Sequence, residues 1–176
     1  QTCALPISAF CNVSPEAVVQ SLDMPTIYEV PLRMQEQGLD ATILRKLDMP
    51  VGETPGLGPW RSFLDRRHKA TEIINIGLVG KYDLQDAYKS ILEALSQAGT
   101  YNDRKVKCHF INSEKITKEN VAEMLKGMDG YVICPGFGQR GIEGKIIATQ
   151  YCRENNKPTF GICLGMQMMV IEFGRN

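Results

Sequence analysis

The sequence predicts an α/β protein in which a parallel sheet carries helices on both faces. Apolar runs of strand length alternate with amphipathic helical segments from residue 72 onwards. These runs are apolar throughout, as expected for strands that are buried on both faces. The chain has 176 residues, of which 43% are hydrophobic and 23% charged, so it is long enough and apolar enough for one sizeable core.

A helical region precedes the predicted sheet. Three helices are predicted there, over Glu16–Gln20, Thr26–Gln37 and Ala41–Leu47. Ser14 is a suitable N-cap for the first of them. Pro31 interrupts or restarts the second helix, and Gly38 ends it. Asp40 is expected to cap the third helix.

A linker is predicted between this helical region and the sheet. The stretch Asp48–Pro59 is rich in proline and glycine and lacks an apolar period. Arg61–Lys69 contains a basic cluster, which we interpret as a solvated linker helix because no aromatic side chains interleave with it to bind nucleic acid. The predicted domains are therefore residues 1–47 and 72–176, with the linker over 48–71.

The sheet region contains four predicted strands, over Ile73–Val79, Val106–Ile111, Gly130–Cys134 and Pro158–Ile162. Helices are predicted over Asp83–Gln97, after a Thr117 cap, over Ile142–Arg153 and over Leu164–Phe173. Gly99 is expected to end the first of these helices. The carboxyl ends of parallel strands meet at one edge of a sheet. We therefore expect Gly80, Pro135 and Cys163 to lie near one another.

Charge and cysteine content limit the possible classes of protein. Twenty basic residues balance twenty acidic ones, so no net field favours nucleic acid or an anionic membrane. No apolar run approaches the roughly 18 residues that span a bilayer. The six cysteines lack a C-x-x-C pair, which is typical of reduced thiols in a cytoplasmic protein. We expect four of them to be structural and buried: Cys11, Cys108, Cys134 and Cys152.

The most informative motif is Gly161-Ile162-Cys163-Leu164-Gly165, at a predicted strand-to-helix junction. It has the spacing of a nucleophile elbow with Cys in place of Ser. The two glycines are expected because strand and helix approach so closely that a side chain at either position would clash. The helix N-terminus favours a thiolate and offers N–H donors to a developing oxyanion. We therefore interpret Cys163 as a nucleophile.

Two glycine-rich segments allow other interpretations. Residues 136–141 match G-x-G-x-x-G, but the next strand ends in Cys163 rather than in the acidic residue that holds a dinucleotide ribose. A loop that donates an N–H group to the oxyanion is the favoured alternative to a dinucleotide site. Residues 77–82 do not fit a phosphate loop, because Tyr82 replaces the Ser or Thr that binds Mg²⁺. Neither His68 nor His109 is expected to be a general base for the nucleophile.

Several segments together resemble known enzymes. Gly161–Gln167 (GICLGMQ) is similar to the nucleophile segment of class I glutamine amidotransferases. The wider match, to the CTP synthase family, covers Phe10–Val13, Thr26–Asp40, Val79–Leu95, Pro135–Ile146 and Glu154–Gln167. This resemblance implies a flavodoxin-like or Rossmann-like amidotransferase domain, preceded by the helical end of an α/β synthetase domain.

The resemblance also implies a function and a site. It implies a ligase of pyrimidine biosynthesis that aminates UTP to CTP with ATP, using ammonia from glutamine hydrolysed at Cys163. Gly136 and Leu164 would supply oxyanion or glutamine contacts, and Met24 would contact the adenine of ATP. The glutamine site would be lined by Leu164, Gly165, Met166 and Gln167. The expected protein is a cytoplasmic homotetramer that binds ATP and Mg²⁺ mainly through its synthetase domain, with no metal site, nucleic acid or membrane partner in this chain.

The ends of the chain predict an internal fragment. Gln1–Pro6 does not fit the family, and the chain stops within a predicted helix. The family's phosphate loop, UTP site and triad His and Glu are then expected outside it, so this chain alone should not hydrolyse glutamine. A non-catalytic binding or assembly fragment, or another class I glutamine amidotransferase, remain alternatives.

Overall fold

The computed structural model describes residues 4–53, 56–82 and 85–176. The chain divides into two compact units, residues 1–65 and 66–176. Cys3 and the predicted helix start at Asp83 lie outside the described residues. Within those residues, no helix is long enough and apolar enough to cross a membrane.

The first unit is helical in its described part. Its helices are α1 (Ala4–Cys11), α2 (Val30–Glu36), α3 (Leu39–Lys46) and the start of α4 (Gly58–Lys69). Tyr28, Phe63 and Leu64 form a small buried core. The Trp60 indole N–H donates to the Tyr28 carbonyl at 2.7 Å. The Trp60 ring stacks on the Phe63 ring, with the ring centroids 5.5 Å apart. Aromatic packing therefore orders this unit.

The predicted helix over Glu16–Gln20 is wrong. Only a single 3₁₀ turn forms, over Pro15–Ala17, and Ser14 makes no side-chain cap. The Gln37 side chain accepts the Gln20 N–H at 2.8 Å and donates to the Gln20 carbonyl at 2.9 Å. Because the Gln37 side chain satisfies the backbone N–H and carbonyl of Gln20, the helix does not continue through Gln20.

The other helices of this unit agree in part with prediction. Pro31 lies at the start of α2, after a 3₁₀ turn whose Tyr28 N–H donates to the Thr26 hydroxyl. Gly38 has a φ of +74° and separates α2 from α3, as its predicted role requires. Asp40 does not cap α3, because that helix already begins at Leu39. Helix α1 was not predicted.

The second unit is built on four parallel strands. They are β1 (Ile73–Gly80), β2 (Lys105–Asn112), β3 (Gly130–Ile133) and β4 (Thr159–Gly161), in the order β2-β1-β3-β4. Val79 pairs with Ile133, and Ile133 pairs in turn with Gly161. This register brings the carboxyl ends of β1, β3 and β4 to one edge of the sheet.

Helices cover both faces of the sheet, which confirms the predicted fold class. They are α5 (Lys89–Tyr101), α6 (Val121–Met124), α7 (Ile142–Glu154) and α8 (Leu164–Arg175). On one face, Leu78 and Val132 of the strands pack with Leu92 of α5. On the other face, Ile133 packs with Ala148 of α7 and Met169 of α8.

Three details differ from prediction, two of them in the sheet unit and the third, at Cys11, in the first unit. Gly99 does not end α5: it lies inside the helix, where a Cβ atom would be 2.7 Å from Val106 Cγ2 and 2.9 Å from the Arg104 carbonyl oxygen. Its role is to let helix and strand approach. The predicted Thr117 cap is wrong, because the next helix, α6, has only four residues and Asn120 is its N-cap. Cys11 is exposed rather than buried.

Candidate active site

The Cys163 backbone adopts a conformation that residues with a side chain rarely occupy. Its φ is +53° and its ψ is −112°. The residue lies between β4 and α8, is the N-cap of α8, and is exposed to solvent. Strained backbone of this kind costs on the order of 1–3 kcal/mol and concentrates at functional sites. The turn thus presents a thiol at the N-terminus of a twelve-residue helix.

The two glycines that flank Cys163 are required by close packing, as the sequence predicts. A Cβ atom on Gly161 would lie 2.5 Å from Met169 Sδ and 2.7 Å from the Met166 nitrogen. A Cβ atom on Gly165 would overlap the Ile133 carbonyl and lie 2.6 Å from its carbon. Helix α8 therefore rests directly on β3 and β4, which fixes the position of the thiol.

The loop that follows β3 lies beside this turn. Gly136 has a φ of +157°, and a Cβ atom there would be 3.1 Å from Lys81 Cε, 3.7 Å from the Tyr82 ring and 3.8 Å from Leu164 Cδ2. The ends of β1 and β3 and the start of α8 therefore meet at Gly136. This juxtaposition confirms the predicted arrangement of strand ends, and it brings backbone N–H groups of two loops to one edge of the sheet.

Two buried lysines hold the same loop. The Lys81 ammonium donates to the Phe137 carbonyl. The Lys145 ammonium donates to the Cys134 carbonyl at 2.6 Å and lies 3.5 Å from the Pro135 carbonyl. Burial lowers the pKa of Lys145 and neighbouring Lys81 lowers it further, whereas Cys134 and Cys163 raise it.

The other described cysteines differ from Cys163 in their surroundings. Cys134 and Cys152 are buried, and Cys108 is partly buried. Burial raises the pKa of the Cys134 thiol to about 12 and also raises the pKa values of Cys108 and Cys152. These three thiols are therefore protonated at neutral pH and fill the core, as predicted.

The histidines lie elsewhere. His109 is in β2, with its Nε2 atom 3.0 Å from Asn75 Oδ1. Strand β2 is at the opposite edge of the sheet from β4, three strand spacings or about 14 Å away. His68 is in the last turn of α4, ahead of β1. His109 therefore cannot exchange a proton directly with the Cys163 thiol.

Comparison with known proteins identifies the family. Residues 83–176, more than half of the chain, match the model of "Glutamine amidotransferase class-I", and residues 1–49 match "CTP synthase N-terminus". The chain is 72% identical over 172 residues to a CTP synthase of Bacteroides thetaiotaomicron. The chain belongs to the class I glutamine amidotransferases, in the CTP synthase family. The resemblance predicted from the motifs is confirmed.

Further comparisons agree with this assignment. The enzyme of Porphyromonas gingivalis is 58% identical over 97% of the chain. A solved structure, "Trypanosoma brucei CTPS - glutaminase domain with bound acivicin", has a TM-score of 0.55 and 37% identity over 58% of this chain and 41% of that one. The chain spans about a third of the length of the curated CTP synthases that it matches.

The predicted glutamine-site residues of this CTP synthase family member lie along the start of α8, in different environments. Leu164 is partly buried beside Gly136, whereas Gln167 is exposed. Gly165 is buried, and its N–H donates to the Ile162 carbonyl at 2.8 Å. Met166 is exposed and lines a groove of about 610 Å³ between β4 and α8. Gly165 thus shapes the turn, while its neighbours border open space.

Met24 belongs to the first unit. It is partly buried in a segment between the two 3₁₀ turns that is neither helix nor strand. Its predicted contact with adenine stays a prediction.

Lys145 was missed by the sequence analysis. The signal that could have revealed it is its position on helix α7, where it shares the buried face with Ile146, Ala148, Thr149 and Cys152. A lysine on the inner face of an amphipathic helix needs a buried partner, because an unpaired ammonium is costly to bury. That partner is a backbone loop, so no acidic residue in the sequence signals the contact.

Proposed function

We propose that this chain carries the glutamine-hydrolysing site of a CTP synthase, with Cys163 as its nucleophile. The observation that carries the proposal is the positive φ of an exposed cysteine at a strand-to-helix turn. A Cβ atom at Gly161 or Gly165 would clash with neighbouring atoms, so the turn requires glycine at both positions. The match to class I glutamine amidotransferases supplies the substrate class.

The proposed reaction begins with attack of the Cys163 thiolate on the carboxamide carbon of glutamine. A C–S bond forms, and the carbonyl oxygen becomes an oxyanion. We assign the N–H groups of Gly136 and Leu164 as its donors, because the loop and the helix start that carry them lie side by side. Preorganised donors of this kind each contribute about 10²–10³-fold to such reactions.

The reaction then proceeds through a thioester, formed when the tetrahedral intermediate collapses and hydrolysed in a second step. The C–N bond breaks, and the nitrogen takes up a proton and leaves as ammonia, so that a glutamyl thioester remains on Cys163. Water attacks the thioester, the C–S bond breaks, and glutamate and the free thiol are released. Both stages need a group that moves protons.

We propose that this group comes from the longer protein. The family resemblance assigns the proton transfers to a histidine paired with a glutamate. Of the two histidines in this chain, His109 is at the far edge of the sheet and His68 is in α4. The residues of this chain therefore provide the nucleophile and the oxyanion donors.

The whole protein would use the released ammonia to aminate UTP that ATP has activated. Met24 suits packing against an adenine ring, since it carries a polarizable thioether. Among the residues that the structure describes, no group of three His, Cys, Asp or Glu side chains could hold a metal, so we assign no Mg²⁺ ligands here. We further propose a cytoplasmic homotetramer and domains over residues 1–47 and 72–176, joined by a linker over 48–71.

The test compares two nitrogen sources in the full-length enzyme that contains this chain. Cys163→Ala should lower glutamine-dependent CTP formation by about a thousandfold or more, because the covalent route is lost. It should keep CTP formation from added ammonium salt, which bypasses the thiol. Cys11→Ala, which removes another exposed thiol, is the control and should retain both activities. Substantial glutamine-dependent CTP formation by Cys163→Ala would overturn the proposal.

A further inference from the structure

Lys145 is a buried cation in an unfavourable place. Its side chain is 0% exposed, and it lies in the first turn of α7, where the helix dipole disfavours positive charge. Burying an ammonium group costs free energy unless polar groups surround it. An apolar side chain of similar length would avoid both costs, so the charge itself calls for an explanation.

The partners of Lys145 are in the loop that carries Gly136. Its ammonium group donates to the Cys134 carbonyl at 2.6 Å, with the Pro135 carbonyl 3.5 Å away. These two carbonyls belong to the peptides that lead directly into Gly136. Pro135 has no N–H group, so no acceptor can fix this part of the loop through a hydrogen bond from the Pro135 nitrogen. The lysine therefore anchors the approach to the position of the proposed oxyanion donor.

The charged or titratable groups around the ammonium of Lys145 are Lys81 after β1, Cys134 after β3 and Cys163 before α8. The ammonium binds the carbonyl that follows β3, at the edge of the sheet where the Cys163 turn also lies. The lysine is therefore placed beneath the loop that borders the proposed nucleophile.

We propose that Lys145 is a positioning residue for glutamine hydrolysis, whose buried ammonium group fixes the Gly136 loop. The proposal rests on the proposed function above, since it assumes that Cys163 is the nucleophile. Lys145 does not touch the substrate in this role. It acts through the backbone carbonyls of Cys134 and Pro135.

The test uses two substitutions in the full-length enzyme. Lys145→Met keeps the length of the side chain and removes both the donor and the charge, whereas Lys145→Gln keeps a hydrogen-bond donor without the charge. Lys118→Met, at an exposed lysine in the same unit, is the matched control. Thermal unfolding followed by circular dichroism reports whether each variant is folded.

The readout is glutamine hydrolysis, with kcat and KM measured separately. Lys145→Met should lower kcat by about tenfold to a hundredfold, because misplacement of a donor by 1 Å can cost about 10² in rate. The KM for glutamine should change much less, and Lys145→Gln should recover part of the lost kcat. A kcat within twofold of wild type in Lys145→Met would overturn the positioning role.

The remaining outcomes are also decisive. If neither Lys145 variant folds, Lys145 serves only the fold and the proposal is wrong. If Cys163→Ala keeps glutamine-dependent activity, the proposed function fails first. If Cys163→Ala loses that activity while the Lys145 variants behave as wild type, only the inference about Lys145 fails.

Discussion

Gly165→Ala is expected to destabilise the sheet unit strongly, although it adds one methyl group. The new Cβ atom would lie 2.6 Å from the Ile133 carbonyl carbon and closer still to its oxygen. Helix α8 and strand β3 must therefore separate by at least about 0.8 Å before that contact reaches the ordinary 3.4 Å. The clashing atoms are the carbonyl carbon and oxygen of Ile133, which belong to the backbone and cannot rotate away as a flexible side chain could.

The cost of this separation follows from two contributions. Overpacking of a well-packed interior costs about 1–3 kcal/mol. Movement of α8 also weakens the hydrogen bond from the Gly165 N–H to the Ile162 carbonyl, which contributes about 1 kcal/mol. The higher helix propensity of alanine returns up to about 1 kcal/mol. We expect a net loss of about 1–4 kcal/mol, or a fall in Tm of about 2–16 °C for a chain of this size.

The assay is thermal unfolding of the chain, followed by circular dichroism. Gly174→Ala is the matched control, because it lies in the same helix and a Cβ atom there meets nothing within 4 Å. This control should leave Tm unchanged or raise it slightly, since alanine favours the helix. A Tm for Gly165→Ala within 1–2 °C of the control, roughly the effect of 0.5 kcal/mol, would refute the close approach of α8 and β3.

Three further outcomes are expected. Competitive alkylation at neutral pH, read by mass spectrometry, should label Cys163 at least about tenfold faster than Cys134. Burial raises the pKa of Cys134 to about 12, so its thiolate forms only as the pH approaches that value. Comparable labelling rates for the two cysteines would contradict the assignment of Cys163. In urea unfolding, Arg153→Ala should lower the free energy of unfolding more than Glu172→Gln does. The reason is that the Glu172 carboxylate is 1% exposed and would be left buried without its cation, so equal effects would contradict the expectation. Glutamine hydrolysis by the isolated 176-residue chain should not exceed that of its Cys163→Ala variant, because His109 lies at the opposite edge of the sheet; turnover that depends on Cys163 would require another base.

The turn at Cys163 could be predicted because its signal is local. Two glycines around Cys163, after an apolar run and before a helical pattern, encode both the close approach and the exposed thiol. The alternation of strands and helices likewise follows from patterns within each segment. These features depend on neighbours in sequence, so the sequence predicts them well.

Other features depend on contacts between distant residues. Gly99 has the pattern of a helix C-cap, but its closeness to Val106 explains the glycine instead. The region after Pro15 has the pattern of a helix start, but Gln37 captures the backbone of Gln20. No local pattern separates these alternatives, because the deciding partner is set only by the tertiary structure.

The same reason explains why Lys145 was missed. Its partners are carbonyl groups, which every residue carries, so residue types do not reveal the contact. Only the buried position of Lys145 on α7, next to the Gly136 loop, distinguishes it from the exposed lysines.

The most direct test of the site is to trap the covalent intermediate. The full-length enzyme is mixed with glutamine, quenched in acid within milliseconds to seconds, digested and analysed by mass spectrometry. We predict a glutamyl thioester on the peptide that contains Cys163, absent from Cys163→Ala and removed by hydroxylamine. A glutamyl adduct on another residue, or the same adduct in Cys163→Ala, would contradict the assignment of Cys163 as the nucleophile.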